Sequence, residues 1–113
     1  MDCIFCKIIN KEIPSNAVFE NDSVLAFHDI APLAPVHVVV VPKKHIASAN
    51  ELNSDNIEYI KEVFAAVPQI VEKLGIKESG YRIVNNCGSD GCQSVNHIHF
   101  HILGGKKLSE NLG

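Results

Sequence analysis

Val95-Asn96-His97-Ile98-His99-Phe100-His101-Ile102-Leu103 is the stretch that decides the fold. From His97 to Ile102 polar and apolar residues alternate, the period of a strand with one buried face. Ile98, Phe100 and Ile102 are predicted to enter the core, with His97, His99 and His101 in a row on the opposite face. Three of the chain's six histidines lie in these five residues. Imidazoles in such a row can bind a metal, attack a phosphorus centre or move protons. At roughly 3.4 Å per residue, neighbours would be about 7 Å apart and the outer pair about 13 Å. With metal–nitrogen bonds of about 2.1 Å, all three could hardly share one tetrahedral ion. The row is therefore expected to do more than one job. A single histidine on a strand is usually only surface; three at period two beside a glycine-rich loop are not.

The chain has 113 residues, enough for one domain with a real core, and the whole of 1–113 is read as that domain. Net charge is −3, with no basic tract, which argues against a nucleic-acid surface. A nucleotide remains open, since it needs only a local anion site. Met1 to Cys6 lacks the pattern of a signal peptide, and Val38 to Val41 is too short to span a membrane, so no membrane partner and a cytoplasmic location are expected. The four cysteines, Cys3, Cys6, Cys87 and Cys92, then read as metal ligands or thiols before disulfides.

Outward from the histidines, Asn86-Cys87-Gly88-Ser89-Asp90-Gly91-Cys92-Gln93-Ser94 is a loop whose glycines let amide N–H groups turn towards an anion. It is neither a P-loop nor a dinucleotide fingerprint. Gly80 to Asn85 reads as the strand before it. Ile57, Ile60, Phe64, Val67, Val71 and Leu74 mark one long helix, with Ser54 as its expected N-cap and Gly75 as its terminator. Pro68 predicts a kink or a break in that helix. His37 to Val41 is a β-branched run closed by Pro42, and Val18 to Glu20 and Ser23 to His28 form a hairpin about Asn21-Asp22. His37 is either a fourth functional imidazole or an ordinary strand-end histidine. Cys3 and Cys6 form a Cys-x-x-Cys pair at the extreme N-terminus, where zinc is favoured over redox chemistry. A short helical turn follows, and Lys106 to Gly113 is a polar tail expected to be mobile.

With these residues assembled, the chain resembles the histidine triad (HIT) superfamily, whose signature of His-x-His-x-His and two apolar residues is matched by His97 to Leu103. It is most similar to the bacterial branch of histidine triad nucleotide-binding (HINT-like) proteins. Ile4 to Ile9, Ala26 to Ile30, Val41 to Ile46 and Gly88 to Gly91 resemble that branch's segments in the same order. The resemblance implies an α+β fold: a five-stranded antiparallel sheet, one long helix and a short N-terminal helix, doubled into a ten-stranded sheet in a homodimer. It implies a hydrolase or transferase of purine nucleoside phosphoramidates, of the adenosine 5′-phosphoramidate type, working through a nucleotidyl-histidine on His99. A dinucleoside polyphosphate hydrolase, a nucleotide-binding regulatory module with little catalysis and a zinc-handling protein are the alternatives.

The same resemblance assigns the other roles. His101 would contact the phosphoryl oxygens, Ser94 the leaving group and Asn86 the phosphate, with the amides about Gln93 and Ser94 stabilising developing charge. Asp29 would hold the ribose hydroxyls, and Phe5, Ile8, Ile13, Phe27, Ile30 and Val39 would wall the base; His37 is counted with the substrate-binding residues from its place on a strand that could pair near the triad, not from the resemblance. On sequence alone most of those apolar residues read as core. Structural zinc would be held by Cys3, Cys6, His45 and His97, with no organic cofactor. The chain departs from the branch at Cys92, where a small residue such as glycine is usual and a positive φ would suit cysteine poorly. Its tail also lacks the tryptophan-containing C-terminus of the animal proteins.

Overall fold

The structure, a computed structural model, describes residues 3–113. In chain order the elements are α1 (Ile4–Ile9), β1 (Ala17–Glu20), β2 (Val24–His28), β3 (Val36–Pro42), a short 3-10 turn (Ala49–Glu51), α2 (Ile57–Lys73), β4 (Tyr81–Val84) and β5 (Phe100–Gly104). The strands form one antiparallel sheet in the order β1-β2-β3-β5-β4. This is the expected α+β architecture with a five-stranded sheet.

The valine run of β3 is buried on both sides of the sheet. Val38 and Val40 face α2, together with Val24, Ala26, Ile98, Phe100 and Ile102. Val39 and Val41 face the other way, packing with Leu25 and Phe27 against Phe5 and Ile8 of α1. A strand covered on both faces needs apolar residues at consecutive positions, which is why the run does not alternate. Asn21 sets the β1–β2 turn, its Oδ1 accepting from the amides of Ser23 and Val24 at 2.9 and 2.8 Å.

Two expectations about α2 are corrected. The lead-in turn is capped by Asn53, not Ser54: Asn53 Oδ1 accepts from the amides of Asp55 and Asn56, and Asn56 Oδ1 accepts from the Asn53 amide in return. This reciprocal pair follows the logic of a capping box. Of the two alternatives at Pro68 the break does not occur: the helix runs on through this residue, which lies on the exposed side, where water can meet the carbonyl that loses its partner. The helix does end at Gly75, with φ +74°. The Gly75 amide donates to Glu72 O and the Ile76 amide to Val71 O, the pair of bonds that closes a Schellman turn.

The histidine stretch departs from a continuous strand. The β3–β5 ladder stops at Val40 opposite Phe100, so only His101 of the three histidines lies within β5. Continuing that register would set Ile98 against Pro42, which has no N–H to give. The Ile98 amide instead donates to Ile46 O at 2.6 Å. His97 and His99 do not lie on an open face: α1 covers them, and their exposures are 0% and 2%. Ile98, Phe100 and Ile102 enter the α2-side core as expected.

Candidate active site

Four ligand atoms converge where α1, the end of β3 and the lead-in to β5 meet. Cys3 caps α1, its Sγ accepting from the Cys6 amide at 3.3 Å. His97 Nδ1 stands 3.4 Å from Cys3 Sγ, 3.6 Å from Cys6 Sγ and 3.2 Å from His45 Nδ1, with Cys6 Sγ 3.4 Å from His45 Nδ1. Around one tetrahedral zinc, bonds of about 2.1 Å to nitrogen and 2.3 Å to sulfur put N–N edges near ~3.4 Å and S–N edges near ~3.6 Å. The observed edges match, so these residues are placed to bind a metal. His97 Nε2–H donates to the Pro42 carbonyl at 2.8 Å, which fixes the ring and turns the Nδ1 lone pair to the ligand set. Desolvation, then the neighbouring Cys3, pushes the Cys6 thiol up to about 11. A divalent cation supplies the charge that reverses this. No disulfide joins the described cysteines.

His99 follows two residues on. Its Nδ1–H donates to the His97 carbonyl at 2.8 Å, leaving Nε2 as the lone-pair nitrogen. The His99 carbonyl is tied by Asn85 Nδ2 at 2.9 Å, a contact that sequence reading missed although Asn85 adjoins Asn86. Phe5 packs edge-on against His99 with ring centroids 5.0 Å apart. His101 lies beside His99, centroids 5.2 Å apart, closer than an extended strand would set them. His101 Nδ1 is 2.8 Å from His37 Nε2, and Asp29 Oδ2 is 3.4 Å from the same His37 nitrogen. Asp29, His37 and His101 could be read as a second metal set. A separation of 2.8 Å is a hydrogen bond, shorter than the ~3.4 Å expected of two nitrogens on one tetrahedral ion. Desolvation lowers the pKa of His37, His97 and His101 below the usual histidine value. For His101 the nearby His99 and His37 add to the effect, and Asp29 opposes it.

Beside the histidines a cavity of about 320 Å³ opens between α1 and the end of β2. Phe5, Ile8, Phe27, Ile30, Val39 and Asp29 line it, all singled out from sequence. Ile13 does not line it and packs against the α1-side core. Ile4, Pro14, Ser15, Asn16 and His28 complete the lining and had carried no signal in the sequence. The Asp29 carboxylate is steadied by accepting from the Ala31 amide at 2.8 Å.

The 86–94 loop is braced by Gln93. Its Nε2 donates to Ala47 O and Val95 O, and its Oε1 accepts from the Gly88 amide. A Cβ on Gly91 would fall 2.6 Å from Cys87 O, so only glycine fits there. Cys92 adopts φ +61°, the left-handed conformation suspected from its sequence position. Ser94 is exposed and Asn86 half-buried on either side of this turn.

Comparison with known proteins agrees with this geometry. The HIT domain family model matches residues 10–108. The purine nucleoside phosphoramidase of Escherichia coli is 40% identical over 111 residues, covering 98% of this chain and 93% of that protein. A HIT family hydrolase from Legionella pneumophila superposes with a TM-score of 0.95 at 44% identity, over 99% of this chain and 100% of that one. A histidine triad protein from Clostridium difficile gives a TM-score of 0.95 at 49% identity, over 98% and 96%. With the family model spanning most of its length and the triad in place at the sheet, the chain belongs to the HIT domain family.

Proposed function

We propose that the protein hydrolyses purine nucleoside phosphoramidates by covalent catalysis on His99. The observation that carries this reading is the hydrogen bond from His99 Nδ1 to the His97 carbonyl, which leaves Nε2 as a neutral nucleophile beside a nucleoside-sized cavity. His99 Nε2 forms a bond to the α-phosphorus as the phosphorus–nitrogen bond of the leaving amine breaks. The amine departs with a proton, for which Ser94 is the candidate donor. Water then attacks the nucleotidyl-histidine, its released proton returns to the Ser94 oxygen, the phosphorus–Nε2 bond breaks to free the nucleoside monophosphate, and neutral His99 is regenerated. His101, Asn86 and the amides about Gln93 and Ser94 act on the phosphoryl oxygens. Asp29 holds the ribose, and Phe5, Ile8, Phe27, Ile30 and Val39 hold the base.

Structural zinc at Cys3, Cys6, His45 and His97 completes the reading. The metal supplies a fixed cross-link that holds α1 and His97 in place. The thiols stay reduced in a cytoplasmic setting; among the described residues no helix is long and apolar enough to cross a membrane. A homodimer is proposed through β4, which is an edge of the sheet.

The test is mass spectrometry of protein mixed briefly with adenosine 5′-phosphoramidate and quenched. A nucleotidyl adduct on His99, with AMP released on longer incubation, is the expected result. His99→Ala should lose turnover by at least about a thousandfold, in line with removal of a covalent nucleophile. Wild-type turnover in His99→Ala would sink the reading. Faster turnover of diadenosine polyphosphates than of the phosphoramidate would reassign the substrate class.

A further inference from the structure

The tautomer of His101 can be traced from a backbone amide 68 residues earlier. The Leu33 N–H donates to His37 Nδ1 at 3.0 Å. A ring nitrogen that accepts carries its lone pair there, so neutral His37 carries its one proton on Nε2. That nitrogen is 2.8 Å from His101 Nδ1. With the proton on the His37 side, His101 Nδ1 accepts, and the proton of neutral His101 resides on its own Nε2. Leu33 lies in the loop between Asp29 and β3, held in shape by Pro32 and Pro35 and by the Asp29 amide donating to His37 O at 3.0 Å.

We propose that His37 is a positioning residue which, with the Leu33 amide, locks His101 as the Nε2–H tautomer, so that His101 meets the phosphoryl group as a ready hydrogen-bond donor. The inference rests on the phosphoramidase reading for its consequence, though not for the tautomer itself. It gives two neighbouring imidazoles opposite tautomers, each written by the backbone. The His97 carbonyl makes His99 a nucleophile at Nε2. The Leu33 amide, through His37, makes His101 a donor at Nε2. Neither ring has to reorganise when substrate arrives, which is where preorganised sites gain most.

The charged and titratable groups facing His101 are Asp29, His37 and His99. The β-ladder partners Val39 and Val84 add none. A second proton on His101 would sit on Nδ1 and confront the His37 Nε2–H. His37 therefore opposes protonation of His101, in the same direction as its burial.

The proposal has one readout without substrate and one with it. Two-bond 15N–1H correlation spectra of the metal-loaded protein, labelled at histidine, report which ring nitrogen carries each proton. Nε2–H on both His37 and His101 is expected; a proton on His101 Nδ1 overturns the proposal. In kinetics with adenosine 5′-phosphoramidate, His37→Asn can still accept from Leu33 but cannot reach His101. It should lower kcat about ten- to hundredfold, the usual cost of a lost outer-shell partner, with KM little changed. The acid limb of its kcat/KM profile should move to higher pH. His37→Gln places an amide N–H near the lost Nε2 and should restore the limb. Wild-type kcat and limb in His37→Asn overturn the proposal. An inactive wild type without a His99 adduct would instead count against the phosphoramidase reading, leaving the tautomer result to be judged by the spectra alone.

Discussion

At the scale of single residues, Cys92 stands out because its backbone conformation suits a different side chain. Its φ of +61° costs an L-residue roughly 1–2 kcal/mol. Glycine would remove that cost and add back roughly 0.5–1 kcal/mol of unfolded-state entropy. Cys92→Gly is therefore expected to stabilise the protein by up to about 1.5 kcal/mol, read as a higher urea midpoint at unchanged m-value. The same substitution leaves the Gly88, Gly91 and Gln93 bracing intact, so turnover should change little. A lower midpoint would mean that the Cys92 side chain makes a stabilising contact. The suspicion about this position was legible in the sequence; the conformation was not, because one residue's φ depends on how the loop closes. Asn85 escaped for a related reason. Its partner, the His99 carbonyl, is a backbone atom that no side-chain pattern announces.

Among the elements, the strands were legible and the covering of the sheet's second face was not. The β3 valines and the Asn21 turn gave their places away through residue type. Alternation in the histidine stretch gave the α2-side core correctly, yet a period of two cannot say whether the opposite face is wet. The six-residue α1 covers it, and His97 and His99 are buried there. The pairing of Cys3 and Cys6 with His45 and His97 was likewise reachable only through the family resemblance, because spacing in the chain says nothing of which distant segments meet. A further prediction belongs to α2. It packs mainly over β1, β2 and β3, which leaves the β5–β4 end of that face less covered. Phe64 stands near that end, against Phe100 at 5.5 Å between ring centroids, and is 48% exposed; Tyr81 on the edge strand is 38% exposed. If β4 pairs with its copy across a twofold axis, these rings lie in the interface. Phe64→Asp should then convert a two-chain species to a one-chain species in sedimentation velocity, with near-native circular dichroism. A single-chain wild type would overturn the ten-stranded sheet.

For the whole molecule, the ligand set is a cross-link between segments far apart in sequence. Cys3 and His97 are separated by 94 positions and Cys6 and His45 by 39. A metal bound only by the folded chain stabilises it by RT ln(1 + [L]/Kd), about 4 kcal/mol when free metal exceeds Kd a thousandfold. Chelation should therefore lower Tm by on the order of 10 °C, and because α1 also supplies Phe5 and Ile8 to the cavity, nucleotide affinity should fall with it. Acid should act on a second, separable part of the molecule. Burial lowers the pKa of His37 and His101, so the unfolded chain takes up protons that the folded chain refuses. Their contribution is fully present above the unfolded histidine value of about 6.5 and is lost as pH falls below it, until the folded groups protonate in turn. Tm measured at fixed free zinc should consequently drop between pH 7 and pH 5, and His37→Gln should shrink that drop by removing one of the two groups. If the drop were unchanged in His37→Gln and abolished by omitting zinc, acid would be acting through the ligand set alone, and the buried His37–His101 pair would carry none of the pH dependence.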